Sequence, residues 1–102
     1  MATGTRTQRE GTSVAVAERS RPTARETWDV VVWNDPVTPM KVVVVIFKRI
    51  FGYANNRCTQ LMLTVHHEGR AVVWTGARER AESYTAKLQA AGLRATVERS
   101  GE

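Results

Sequence analysis

The chain has 102 residues, 42% of them hydrophobic and 25% charged, with a formal net charge of +5. That is the balance of one globular domain with one compact core, and so short a chain has little structure to set aside for a deep enclosed active site or a large cofactor. The longest apolar run, from Val42 to Phe47, falls far short of the roughly 20 residues that cross a bilayer, so no membrane-spanning helix is expected.

A single cysteine, Cys58, excludes an internal disulfide framework and a thiolate metal cluster, and fits a reducing compartment, so the cytoplasm is the expected location. The charge is unevenly placed. Residues 1–25 carry Arg6, Arg9, Arg19, Arg21 and Arg25 against Glu10 and Glu18, a net of +3, which leaves +2 for the remainder. From residue 1 to 26 the chain is Thr, Ser, Arg, Gly and Ala with almost no large apolar side chain, so it cannot bury enough surface to offset its ordering entropy. It reads as a disordered basic arm. The two glutamates and the missing apolar face argue against a targeting peptide.

The domain proper is expected over residues 27–102. Trp28-Asp29-Val30-Val31-Val32-Trp33 is β-branched and aromatic and stops at Asn34-Asp35-Pro36, the pattern of a strand running into a turn. Thr38 as cap and Pro39 at the first helical position predict a helix from Pro39 to about Phe51. The run Val42 to Phe47 favours a strand by propensity. The start signal, the helical spacing of Phe47, Ile50 and Phe51, and a stop at Gly52 turn the prediction to helix. A second helix begins at Asn55 or Asn56 as cap, shows Cys58, Leu61, Met62 and Val65 at i, i+3, i+4, i+7, and ends at Gly69. Arg70 to Thr75 reads as a strand. Ala77, Ala81, Tyr84, Leu88 and Ala91 line one face of a third helix ending at Gly92, and Leu93 to Glu98 alternates as a third strand. The order β-α-α-β-α-β predicts an α+β two-layer sandwich, a three-stranded antiparallel sheet with three helices on one face.

Few residues offer chemistry. His66 and His67 point about 100° apart on a helix and have no Cys or carboxylate cluster beside them, so no zinc site is expected. Cys58 lies on the apolar face with Leu61, where a buried thiol is inert, and no Walker loop or dinucleotide fingerprint occurs. An enzyme is not expected, nor a cofactor. Taken alone, Asn34-Asp35-Pro36 is a turn, Met62 and Val65 are core, and Glu79 is a solvated helix charge.

Two segments change that reading. Asn34-Asp35-Pro36-Val37-Thr38-Pro39-Met40 and Thr59-Gln60-Leu61-Met62-Leu63-Thr64-Val65-His66-His67-Glu68-Gly69 resemble the signature of the ClpS family: an Asn-Asp turn before Thr-Pro-Met, then a helix reading Thr-Gln-Leu-Met-x-x-Val-His-x-x-Gly. The resemblance runs from about Trp28 to Glu98 and includes the Gly52-Tyr53 step and the Gly-x-Ala-Val strand from Gly69. It implies a monomeric, non-catalytic adaptor that captures proteins by a bulky N-terminal residue (Leu, Phe, Trp, Tyr). Such an adaptor hands this N-degron cargo to the N-terminal domain of a ClpA/ClpC-type AAA+ ATPase for degradation by ClpP.

By that resemblance Asn34, Asp35 and His66 surround the α-ammonium of the bound residue. Met40, Val43, Met62 and Val65 line an apolar pocket with Thr38 and Pro39 at its rim, Met40 guards it against β-branched residues, and Glu79 contacts the unfoldase. The chemistry is coherent, because an ammonium presents three donors and a positive charge to an amide oxygen, a carboxylate and a neutral imidazole nitrogen. Two departures stand out. Pro36 replaces a second aspartate common in relatives, and near the C-terminus Arg94 aligns without gaps to an apolar pocket position, with the neighbouring Leu93 as the alternative and neither assigned to it. The rival expectation from another class is nucleic-acid binding through the basic arm, an electrostatic attachment that collapses as salt is raised.

Overall fold

The computed structural model describes residues 26–101, so the basic arm lies, apart from Glu26, outside the described residues. Strand β1 (Thr27–Trp33) is followed by helices α1 (Met40–Phe51) and α2 (Asn55–Glu68), strand β2 (Arg70–Ala77), helix α3 (Arg78–Ala90) and strand β3 (Arg94–Arg99). The expected order holds. β1 is the central strand, antiparallel to β2 on one side and β3 on the other.

The β-branched run of α1 is helical because its burial has helical spacing: Val43, Ile46 and Phe47 are buried, while Val42 and Val45 are exposed. Gly52 ends the helix at φ 74, its N–H donating to the Lys48 carbonyl, and Gly69 ends α2 in the same left-handed region at φ 89. Val30 and Val32 enter the core with Phe47, Cys58, Val73, Ala81 and Leu88. Val31 faces the other side of the sheet yet is also fully buried. There Arg70 on β2 makes a bidentate pair with Glu98 on β3, at 2.8 and 3.1 Å, and the pair crosses β1 diagonally between the register positions of Trp33 and Asp29, with Val31 between them.

Three local expectations need correction. Pro39 is the N-cap of α1, extended at ψ 145, and accepts the first helical bonds from Val42 and Val43; the Thr38 hydroxyl faces Asp35 instead. Ala54, not Asn55 or Asn56, is the N-cap of α2, with no side-chain capping bond. Strand β2 runs on to Ala77, which pairs with Thr27 and caps α3, so Ala77 does not line the helix face; Ala91, just past the helix end, is exposed.

β2 also carries a bulge. Val30 pairs with Trp74 but Val31 with Val72, which leaves Val73 as the extra residue. The bulge puts both Val73 and Trp74 on the helix side, and the Val73 carbonyl accepts a 2.8 Å bond from the Tyr53 hydroxyl.

Candidate functional site

A cavity of about 280 Å³ opens where the end of β1, the start of α1 and the last turn of α2 meet. Its position follows from two backbone constraints. The Asn34 N–H donates to the Gly69 carbonyl at 2.9 Å, and the Gly69 N–H donates to Val65 at 3.0 Å. The turn leaving β1 is thereby tied to the end of α2, one helical turn from Val65 and His66 and two from Met62.

The turn itself is built around Asp35. Its carbonyl accepts the Thr38 N–H at 3.2 Å, closing a β-turn over residues 35–38 with Pro36 at the position where a fixed φ is favoured. Its carboxylate accepts the Val37 N–H at 3.0 Å through Oδ1 and faces the Thr38 hydroxyl at 3.5 Å through Oδ2. Pro36 therefore stiffens the segment in which a second carboxylate is lacking, and holds Asp35 at the cavity mouth. Pro39 and Met40 follow at once, so the turn that presents Asn34 and Asp35 also starts α1.

The cavity wall contains Asn34, Asp35, Thr38, Pro39, Met40, Val43, Met62, Val65 and His66, so the residues singled out at the two sequence motifs converge here. Val43 and Val65 are buried, Met62 half-buried, and Met40 and His66 exposed. Met62 and His66, four apart, present one face of α2 to it. The structure adds Val32, Trp33, Pro36 and Leu93 to the wall. Of the C-terminal pair, buried Leu93 lines the cavity, whereas exposed Arg94 lines a second concavity next to it. Val32 and Trp33 belong to the strand that leads into the first motif, and nothing in that strand's sequence marks either as wall.

Glu79 is elsewhere. It sits exposed in the first turn of α3, a helix whose far end leads to Leu93, and it does not line the cavity. No group of three or more metal-ligating side chains occurs among the described residues, and His66 and His67 lie with ring centroids 5.2 Å apart.

A pocket of this volume is at the small end of ligand sites, and its wall combines apolar side chains with the amide of Asn34, the carboxylate of Asp35 and the imidazole of His66. Such a lining can hold a single side chain together with a neighbouring polar group. The sequence profile of the family described as "ATP-dependent Clp protease adaptor protein ClpS" matches residues 23–96. A ClpS adapter of Mycobacterium tuberculosis is 45% identical over 95 residues, covering 93% of this chain and 87% of that protein. One from Rhodococcus opacus is 51% identical over 72 residues, covering 71% and 64%. Among solved structures, Agrobacterium tumefaciens ClpS2 bound to L-phenylalaninamide superposes with a TM-score of 0.69 at 29% identity, covering 74% of this chain and 99% of that one. The chain belongs to the ClpS family of Clp protease adaptors, a family of adaptors and not of catalysts.

Proposed function

We propose that the cavity receives the first residue of a protein chain, its bulky side chain against Met40, Val43, Met62, Val65 and Leu93, and its α-ammonium against Asn34, Asp35 and His66. The observation that carries this reading is that one mostly apolar cavity of about 280 Å³ has Asn34, Asp35 and His66 together in its wall. L-Phenylalaninamide, bound by the similar ClpS2, has the same parts: a free α-amine, a benzyl group and an amide in place of the next peptide bond. Burying a Leu or Phe side chain is worth about 1.5–3 kcal/mol, and hydrogen bonds to a charged group add about 1.5–3 kcal/mol each. Met40, on the first turn of α1 and in the cavity wall, excludes β-branched side chains. The captured protein then passes to a ClpA- or ClpC-type unfoldase that contacts Glu79, and the work is done by that ATPase. The chain acts as a cytoplasmic monomer.

Fluorescence anisotropy tests the reading. Peptides beginning with free Leu, Phe, Trp or Tyr are expected to bind, while their N-acetylated or Gly-starting counterparts do not. His66→Ala weakens every binding peptide by removing one acceptor. Equal binding of all peptides, or of none, would refute the pocket.

A further inference from the structure

The second concavity, about 480 Å³, shares Trp33 and Leu93 with the first and continues from it along the edge of β3. Gln89, Arg94, Ala95 and Thr96 complete its wall, and the Gln89 amide donates to the Ala95 carbonyl at 2.9 Å, tying α3 to β3. Trp33 stands in register with Arg70 on one side and Arg94 on the other, so one row across the three strands reads Arg, Trp, Arg. The two cations differ in their engagement. Arg70 lies 4.9 Å from the Trp33 ring centroid and is held by both oxygens of Glu98. Exposed Arg94 makes no ion pair or side-chain hydrogen bond with another described residue.

We infer that this concavity takes the second and third residues of the captured chain, and that Arg94 makes the protein prefer acidic side chains there. This rests on the first-residue reading above and extends it from one position to three. A chain whose first side chain fills the inner cavity must leave through the mouth, and the concavity bordering that mouth over Trp33 and Leu93 offers a free guanidinium as its charged feature. Guanidinium to carboxylate is a bidentate match, whereas a lysine at the same place meets a like charge.

The test uses the full chain and three labelled peptides alike except at positions two and three: Phe-Asp-Asp, Phe-Gly-Gly and Phe-Lys-Lys. At low salt the acidic peptide is expected to bind about two- to fivefold tighter than the glycine one, the range of an exposed ion pair, and the lysine peptide weaker than both. High salt closes the gap. Arg94→Met levels the series and Arg94→Glu reverses it, while both variants keep the need for a free Phe amine. Phe peptides that bind regardless of the charge at these positions, or a preference that survives Arg94→Glu, overturn the inference and leave the first-residue reading standing. Failure of every Phe peptide to bind overturns both.

Discussion

Single side chains at this domain's surface do structural work that composition does not reveal, and Tyr53 is the clearest case. It sits in the loop between α1 and α2, stacks on Phe51 at 5.0 Å between ring centroids, lies under the Arg57 guanidinium at 4.0 Å, and bonds the carbonyl left out of the ladder by the β2 bulge. Burial raises its phenol above the ordinary value of 10.0; Arg57 opposes the shift, and Tyr84 and Cys58 add to it. Since the folded chain holds this proton more tightly than the unfolded chain, the contribution is fully present below pH 10 and is lost as pH rises through the raised folded value. Tyr53→Phe removes the donor to Val73 and is expected to cost about 0.5–1.5 kcal/mol at neutral pH. It also removes this alkaline loss. Urea midpoints of the two proteins should therefore differ at pH 7 and approach each other above pH 10, and a gap that stays constant with pH would contradict the assignment.

At the scale of elements, two helix ends present the same backbone problem with different consequences. Gly52 and Gly69 both occupy the left-handed region, at φ 74 and 89, where a side chain costs about 1–2 kcal/mol. Only Gly69 accepts the Asn34 N–H and so joins the turn to α2. Gly52→Ala and Gly69→Ala are both expected to lower Tm by several degrees, about 4–8 °C per kcal/mol for a domain of this size, yet only Gly69→Ala should weaken peptide binding, because it shifts Asn34 against His66. Equal binding by the two variants would show that this tie does not set the site. Much at this scale was legible in advance. Gly52 and Gly69 were readable as stops, and the spacing of Cys58, Leu61, Met62 and Val65 gave α2 its inward face. The run Val42 to Phe47 could be read as helix only from its flanking signals, since its local preference is for a strand and tertiary burial of Val43, Ile46 and Phe47 overrides it. The caps were misread because capping residue types stand beside both sites, at Thr38 and Asn55, while the chain uses Pro39 and Ala54. The bulge at Val73 left no local mark, because a register shift is decided between strands and not within one. The site followed the same division. The residues of the two motifs were legible, but Trp33 and Leu93 join the wall through sheet pairing and the end of α3, which no single segment encodes.

Across the whole molecule, the proposed capture and delivery surfaces sit at opposite ends of α3. Glu79 lies in its first turn and Leu93 just past its last, and 13 helical residues span about 20 Å. Among the described residues the cavity wall runs from Val32 to Leu93, and the adaptor reading assigns no binding group to residues 1–25. Deleting those residues should therefore leave the anisotropy of a Phe-starting peptide unchanged. If the arginine-rich arm acts in delivery, the same deletion slows degradation of a Leu-starting reporter by the reconstituted ATPase and protease. Glu79→Arg is expected to separate the functions in the same sense, keeping peptide binding while weakening capture of the ATPase N-terminal domain in a pull-down. Its acidic side chain also faces the positive end of the α3 dipole, a role worth about 0.3–1 kcal/mol, and Glu79→Gln distinguishes the two roles. A purely helix-stabilising glutamate lowers Tm in both variants and leaves ATPase association intact. A contact residue loses association even where Tm is preserved. Loss of peptide binding together with delivery, in either the truncated chain or the Glu79→Arg variant, would place both functions on one surface and overturn the division along α3.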